Sequence, residues 1–121
     1  MNPQGKVPLL IAEGNFPIPE SDTICRYILE KYKSSGPSFI PTELKNRILS
    51  EQICRLHDIY ISPIQASMYR APGSIFSIYG TDRKAALSAL KKQLEILEYL
   101  VSQRGGGDYL CGSEISLAGL Y

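Results

Sequence analysis

The stretch that decides the fold is residues 2–21, which reads NPQGKVPLLIAEGNFPIPES. Two short apolar or extended pieces, Leu9–Ile11 and Phe16–Ile18, flank Glu13–Asn15, which has the composition of a turn. This pattern predicts a β-hairpin. Proline fixes its own φ and holds the preceding residue in extended geometry, so the backbone of Val7 faces outward beside Pro8 just before the first strand.

A helix is predicted directly after the hairpin. Apolar side chains recur at helical spacing from Ile24 to Ile28, and Ser21 stands before them as the expected N-cap. The free N–H groups of a helix N-terminus attract a carboxylate, while Glu20 can hold an ammonium group. Taken singly, these two residues are more often only a cap and a charge that complements the helix dipole. In combination with Val7-Pro8 they indicate a site for a small peptide-like anion.

Two long helices are predicted in the rest of the chain. The first follows Thr42, which can cap it, and apolar side chains recur along it at multiples of four: Leu44, Ile48, Leu56, Tyr60, Ile64 and Met68. Pro63 removes a backbone donor and is expected to kink this helix near Ile59 and Tyr60. The second helix spans about Asp82 to Gln103 and is expected to pack antiparallel to the first. Its apolar stripe comprises Leu87, Leu90, Leu94, Leu97 and Val101.

Composition argues against several classes of function. The 121 residues include 13 basic and 12 acidic ones, so the net charge is +1, and no basic stripe for nucleic acid or an anionic membrane is present. Neither a membrane span nor a secretion signal is predicted. Three widely spaced cysteines, Cys25, Cys54 and Cys111, predict reduced thiols in the cytoplasm and no metal site, with Cys25 as a small core residue.

Two motifs, in this order, resemble the cytosolic glutathione S-transferases. The stretch from Asn2 to Leu10, followed by the turn and Pro19-Glu20-Ser21, is similar to the second half of that family's thioredoxin-like domain. Tyr109–Ala118, which reads YLCGSEISLA, is similar to the segment that opens the central helix of its all-helical domain. The resemblance implies an α/β thioredoxin-like half, a β-hairpin plus helix, followed by an all-α C-terminal-type domain, and a mostly helical chain overall. It divides the chain into residues 1–33, a linker at 34–41, and residues 42–121.

The resemblance also implies a glutathione site. In the family, the residue before the turn proline pairs its backbone with the cysteinyl unit, which is the place of Val7 beside Pro8. The γ-glutamyl end falls to Glu20 and Ser21. Lys6 stands where several classes contact the glycyl carboxylate.

A pocket for a small apolar electrophile is implied on the kinked half of the first long helix. The resemblance assigns one wall of it to Tyr60, Met68 and Tyr69, with core packing as the equal alternative. The implied function is conjugation of the thiol of glutathione, as co-substrate, to electrophilic apolar substrates in detoxification. The implied protein is a cytoplasmic homodimer without bound cofactor, metal, nucleic acid or membrane.

The chain departs from the family at both ends, since it starts after the family's first strand, helix and strand and stops at Tyr121, early in the family's central helix. Family members begin with a strand, helix and strand that carry the Tyr, Ser or Cys that activates the thiol, so the catalytic residue is expected upstream of Met1. The chain is therefore expected to be an internal fragment that is inactive alone and leaves an open apolar strand edge at Val7. The alternative function is a non-catalytic dimerisation or assembly module, such as that of the translation elongation factor one gamma subunit. Retention of Glu20 and Ser21 favours glutathione binding.

Three other features have structural interpretations. His57 next to Asp58 could suggest general-base chemistry, but neighbours on a helix point about 100° apart, and a structural or surface role is expected. The run Gly105–Gly107 lacks the Lys-Ser/Thr of a phosphate loop and predicts a flexible connection. Ser116 is expected to cap the central helix, while Gly119 replaces the acidic partner of the family's capping box.

Overall fold

A computed structural model of the chain describes residues 5–69 and 83–120, apart from the side chains of Ser67 and Tyr69. The chain forms two compact units, Met1–Ser38 and Phe39–Tyr121. Within the described ranges, every helix is too short or too polar to cross a lipid bilayer.

The first unit is a β-hairpin with a helix packed on it. Strands β1 (Leu9–Ala12) and β2 (Phe16–Pro19) pair antiparallel, with Leu9 opposite Pro19 and Ala12 opposite Phe16, and a 3-10 turn joins them. Helix α1 (Ser21–Lys31) contacts both strands. Ile18, on β2, is buried. The predicted hairpin and helix are confirmed.

Two expectations for α1 are wrong. Ser21 is the first helical residue and not the N-cap, because the backbone of Glu20 turns one residue earlier and its carbonyl accepts from the N–H of Ile24 at 3.0 Å. Cys25 is exposed and not a core residue. The helix has no fully buried side chain, since the two short strands cover only part of its surface.

An ion pair joins the hairpin turn to the end of α1. The Lys31 Nζ lies 2.5 Å from Glu13 Oε1 and 3.4 Å from the hydroxyl of Tyr27, and it stands 5.6 Å from the ring centroids of Tyr27 and Tyr32. The hydrogen bond and the charge of Lys31 lower the pKa of the Glu13 carboxyl, and Glu13 in turn raises the pKa of Lys31. The contact therefore holds two elements of the first unit together through charge.

This pair makes stability depend on pH. Because the folded-state pKa of Glu13 is lowered from 4.5, its contribution is present above that value and is lost as the pH falls through the lowered pKa. We expect Lys31→Gln to lower the melting temperature at neutral pH, and the difference from wild type to be smaller at an acidic pH well below 4.5. Thermal unfolding followed by circular dichroism at both pH values measures this. A difference that stays constant across the range would contradict it.

The second unit is helical and is built on one long, interrupted helix. Helix α2 (Leu44–Leu56) runs into a π-helical turn (His57–Ile61) and then into α3 (Ser62–Tyr69). In the turn, the N–H of Ser62 donates to the carbonyl of His57, five residues back. At the place where Pro63 predicts a kink, near Ile59 and Tyr60, the structure has a π-helical turn. Pro63, which has no backbone N–H to donate, is the second residue of α3. Helix α4 (Arg83–Ser102) contacts α2 and α3.

The buried face of α2 differs from the predicted stripe. Of the predicted stripe, Leu56 is buried, but Leu44 and Ile48 are 62% and 50% exposed. Leu49 and Ile53, which were not part of the stripe, are buried. A spacing of four residues advances about 40° around the helix at each step, so a row of every fourth residue leaves the core face. On α4, Leu90, Leu97 and Val101 are half-buried, while two other members of the predicted stripe, Leu87 and Leu94, are exposed. Asp82, where that helix was expected to begin, lies outside the described residues.

The segment before α2 is joined to the segment after α4. Thr42 donates from its backbone N–H to Glu114 Oε2 at 2.8 Å and from its hydroxyl at 3.0 Å, and the N–H of Leu117 donates to the carbonyl of Phe39 at 3.0 Å. Pro41 between them is fully buried. The expectation that Thr42 caps the first long helix is wrong, because α2 begins at Leu44 with Glu43 at its N-cap.

Two glycines form a close backbone contact in the segment after α4. Gly107 and Gly112 have φ values of +109° and +125°, and a Cβ placed on Gly107 would lie 2.3 Å from the carbonyl carbon of Gly112. A Cβ on Gly112 would lie 2.6 Å from Nδ2 of the buried Asn46. The prediction of a merely flexible connection at Gly105–Gly107 is therefore wrong at Gly107, where no side chain fits.

Ser116 is buried without capping a helix. Its hydroxyl has no hydrogen-bond partner in the described part of the chain, and its carbonyl accepts from the N–H of Gly119 at the start of a 3-10 turn, Leu117–Leu120. Apart from its own chain neighbours and the backbone of its own turn, no atom of the described residues lies within 4 Å of a Cβ built on Gly119. A carboxylate there has room to reach the backbone N–H of Ser116, as in a capping box.

We expect Gly119→Asp to stabilise the chain by roughly 0.5 to 2 kcal/mol, because it supplies that acceptor and removes a poor helix former. Urea unfolding of the variant and of the control Gly119→Ala, which removes the glycine without adding a carboxylate, separates the two causes. Equal stability of wild type and Gly119→Asp would refute the prediction.

Candidate functional site

The two halves of the predicted peptide site meet at the open end of the hairpin. The antiparallel ladder ends where Leu9 faces Pro19, so Pro8 and Glu20 follow at the same end of the two strands. The peptide bond between Val7 and Pro8 is cis. Sequence positions more than ten residues apart are thus brought side by side by the register of four paired residues.

All five predicted glutathione-binding residues are exposed: Lys6, Val7, Pro8, Glu20 and Ser21. The side chain of Val7 is 91% exposed. Lys6 directly precedes Val7 in the sequence and so lies next to this end of the hairpin. The site therefore presents two opposite charges and an apolar residue to an incoming molecule.

The backbone of Glu20 is the feature that sequence reasoning missed. Its φ of +70° and ψ of 122° are values that a residue with a side chain rarely adopts. Such conformations cost on the order of 1–3 kcal/mol and are found preferentially at binding and active sites. Glutamate gives no sequence signal for a positive φ, unlike glycine or asparagine, so only the structure could reveal it.

The first turn of α1 provides donors for an anion. The leading N–H groups of a helix have no acceptor within the helix and carry the positive end of its dipole. The first-turn residue Asp22 adds a negative charge there, and its Oδ2 lies 2.9 Å from Arg26 Nε. Their opposite charges at a spacing of four residues were a sequence signal for this ion pair.

The residues predicted for the electrophile pocket lie in the second unit. Tyr60, in the π-helical turn, is 54% exposed, and Met68 is half-buried on α3. The side chain of Tyr69 lies outside the described residues. A separate cavity of about 600 Å³ opens in this unit between the helices and the segment after α4, and neither Tyr60 nor Met68 lines it. From the long helix its walls include Ile53, His57 and Ile61.

His57 and Asp58 do make a contact. Their Nδ1 and Oδ1 atoms lie 3.3 Å apart, and Asp58 Oδ2 is 3.5 Å from Arg55 Nη2. The expectation that the two side chains do not face each other is therefore wrong, since these residues begin the π-helical turn and do not follow regular α-helical geometry. Within the described ranges, no three His, Cys, Asp or Glu side chains cluster as metal ligands would.

Comparison with known proteins bears on the first unit most directly. The sequence model "Glutathione S-transferase, N-terminal domain" matches residues 1–37. This range holds the hairpin, α1 and all five predicted glutathione-binding residues.

Curated relatives align along nearly the whole chain. Glutathione S-transferase F10 of Arabidopsis thaliana is 31% identical over 121 residues, which cover 99% of this chain and 56% of that protein. Glutathione S-transferase F14 of the same plant is 29% identical over 124 residues, which cover 100% of this chain and 48% of that protein. The chain thus spans about half the length of the curated relatives it matches.

A thioredoxin-like hairpin and helix, followed by a helical unit, define the class of protein. The match of residues 1–37 to the domain, and the alignments of nearly the whole chain to about half of each of two transferases, agree with that class. The resemblance of the chain to the glutathione S-transferase family, seen in its sequence, is thereby confirmed.

Proposed function

We propose that the chain binds glutathione at the open end of its hairpin, and that the whole protein joins the glutathione thiol to small electrophilic apolar substrates. In this proposal the backbone of Val7 beside Pro8 pairs with the cysteinyl unit. Glu20 and Ser21 hold the γ-glutamyl end, and Lys6 faces the glycyl carboxylate. Glutathione is a co-substrate here and not a resident cofactor.

One observation carries the proposal: the hairpin register sets Val7-Pro8 beside Glu20-Ser21. An extended tripeptide needs backbone pairing at its middle and charge recognition at its ends, and this arrangement offers both within one small unit. The positive φ of Glu20 supports a binding role, because strain of this kind persists where function requires it.

Charge supports the same orientation of the ligand. Glutathione carries an ammonium and a carboxylate at one end and a carboxylate at the other. The helix N-terminus and the Ser21 hydroxyl suit the first carboxylate, while Glu20 suits the ammonium group. Lys6 supplies the positive charge for the second carboxylate.

The proposal for the whole protein also covers its compartment, its oligomeric state and its contacts with the electrophile. Transferases F10 and F14 are named for glutathione transfer, and three free cysteines suit a reducing compartment. We therefore propose a cytoplasmic, homodimeric enzyme of detoxification, in which Tyr60, Met68 and Tyr69 contact the electrophile.

Amide NMR spectra recorded during a glutathione titration test the site. We expect saturable shifts of the Val7, Glu20 and Ser21 amides, with the amides of α2 unchanged. Shifts confined to the second unit, or no saturation at millimolar glutathione, would overturn the proposed site.

A further inference from the structure

We propose that the ion pair between Asp22 and Arg26 sets the charge at the N-terminus of α1, and so tunes how tightly the site holds the γ-glutamyl carboxylate. This inference rests on the proposed glutathione-binding function. In this inference Arg26 does not contact the ligand and acts only through its charge, which offsets the charge of Asp22.

Asp22 lies where its charge matters for an anion. It directly follows Ser21, and its side chain is only 17% exposed in the first turn of α1. A carboxylate at this position complements the helix dipole and therefore competes with a bound anion for the same positive end. Left alone, Asp22 would weaken the attraction that the helix offers to a ligand carboxylate.

Arg26 offsets that charge. Its Nε lies 2.9 Å from Asp22 Oδ2, one helical turn away, and its side chain is 38% exposed. With the pair intact, Arg26 offsets the charge that Asp22 adds to the first turn, and in the proposed complex the N–H groups and the Ser21 hydroxyl face the ligand carboxylate. Removing one side-chain charge about one helical turn from the ligand carboxylate, at the dielectric of a protein surface, should change Kd roughly threefold to tenfold.

Four variants test this by calorimetric titration with glutathione at low ionic strength. Arg26→Gln should raise Kd roughly threefold to tenfold, and the loss should shrink at about 0.5 M salt. Asp22→Asn should lower Kd about twofold or more, because the negative charge of Asp22 is then removed from the first turn of α1. The double variant should return close to wild type. Lys33→Gln is the matched control, since it removes one positive charge from the same unit, in a pair with Glu30 at the far end of α1; it should leave Kd unchanged.

A structural role of the pair predicts a different outcome. If Arg26 merely stabilised α1, the double variant would bind as weakly as Arg26→Gln, and salt would not alter the loss; either result overturns the inference. If Arg26→Gln does not fold, Asp22→Asn serves as the test instead. A glutathione Kd of Asp22→Asn that is equal to or higher than that of wild type also overturns the inference. Wild-type binding with any of these results leaves the proposed function standing, whereas no wild-type binding overturns both.

Discussion

Replacing Gly107 with alanine is expected to unfold the helical unit or to cost it about 3 kcal/mol or more. The added methyl group would lie 2.3 Å from the carbonyl carbon and 2.4 Å from the carbonyl oxygen of Gly112. It would also sit on a residue with φ of +109°, which L side chains rarely adopt. Because the obstacle is backbone on both sides, no rotamer change can relieve it. Chemical denaturation followed by far-ultraviolet circular dichroism measures the loss.

Gly105 is the matched control for this prediction. It belongs to the same run of three glycines, and its φ is not positive. Apart from its chain neighbours, no atom in the described part of the chain lies within 4 Å of a Cβ built on it. Gly105→Ala should therefore change stability by less than about 1 kcal/mol. Comparable losses for the two variants would show that the contact between Gly107 and Gly112 is not what holds this segment.

Replacing Glu20 with glycine is expected to separate stability from binding. Glycine adopts a positive φ without steric cost, so the strain at Glu20 is relieved and the melting temperature should not fall. The carboxylate that we assign to the ammonium group of glutathione is lost at the same time. A hydrogen bond to a charged group contributes about 1.5–3 kcal/mol, so Kd should rise about tenfold to a hundredfold.

Asn15 offers the control for Glu20. It also has a positive φ, of 59°, but it lies in the turn at the opposite end of the hairpin. Asn15→Gly should leave glutathione binding unchanged while relieving strain in the same unit. If both variants bind like wild type, Glu20 takes no part in recognising the ligand.

The sequence was sufficient to predict the hairpin of the first unit because the signals of a hairpin are local. Glu13-Gly14-Asn15 between two short apolar runs specifies a hairpin, and hairpin geometry then decides which ends meet. The placement of Pro8 beside Glu20 follows from that register without further information. The helix after Ser21 follows from the spacing of its apolar residues, but its exact start does not, since the turn at Glu20 is set by backbone conformation.

The second unit was harder because its decisive contacts are distant in sequence. Thr42 was expected to cap a neighbouring helix, yet it binds Glu114, 72 residues away. Likewise, the tight fit of Gly112 against Asn46 has no local signature. The apolar stripe predicted on α2 was partly wrong for another reason. Leu44 and Ile48 are four residues apart, as the buried Leu49 and Ile53 are, but they lie on a different face of the helix.

Calorimetric titration of the chain with glutathione and with cysteinylglycine tests the central claim most directly. The dipeptide lacks only the γ-glutamyl unit, which we assign to Glu20 and Ser21. We predict saturable binding of one glutathione per chain, and no detectable heat of binding for cysteinylglycine at the same concentrations. Equal binding of the two ligands, or none of either, would contradict a glutathione site at the open end of the hairpin.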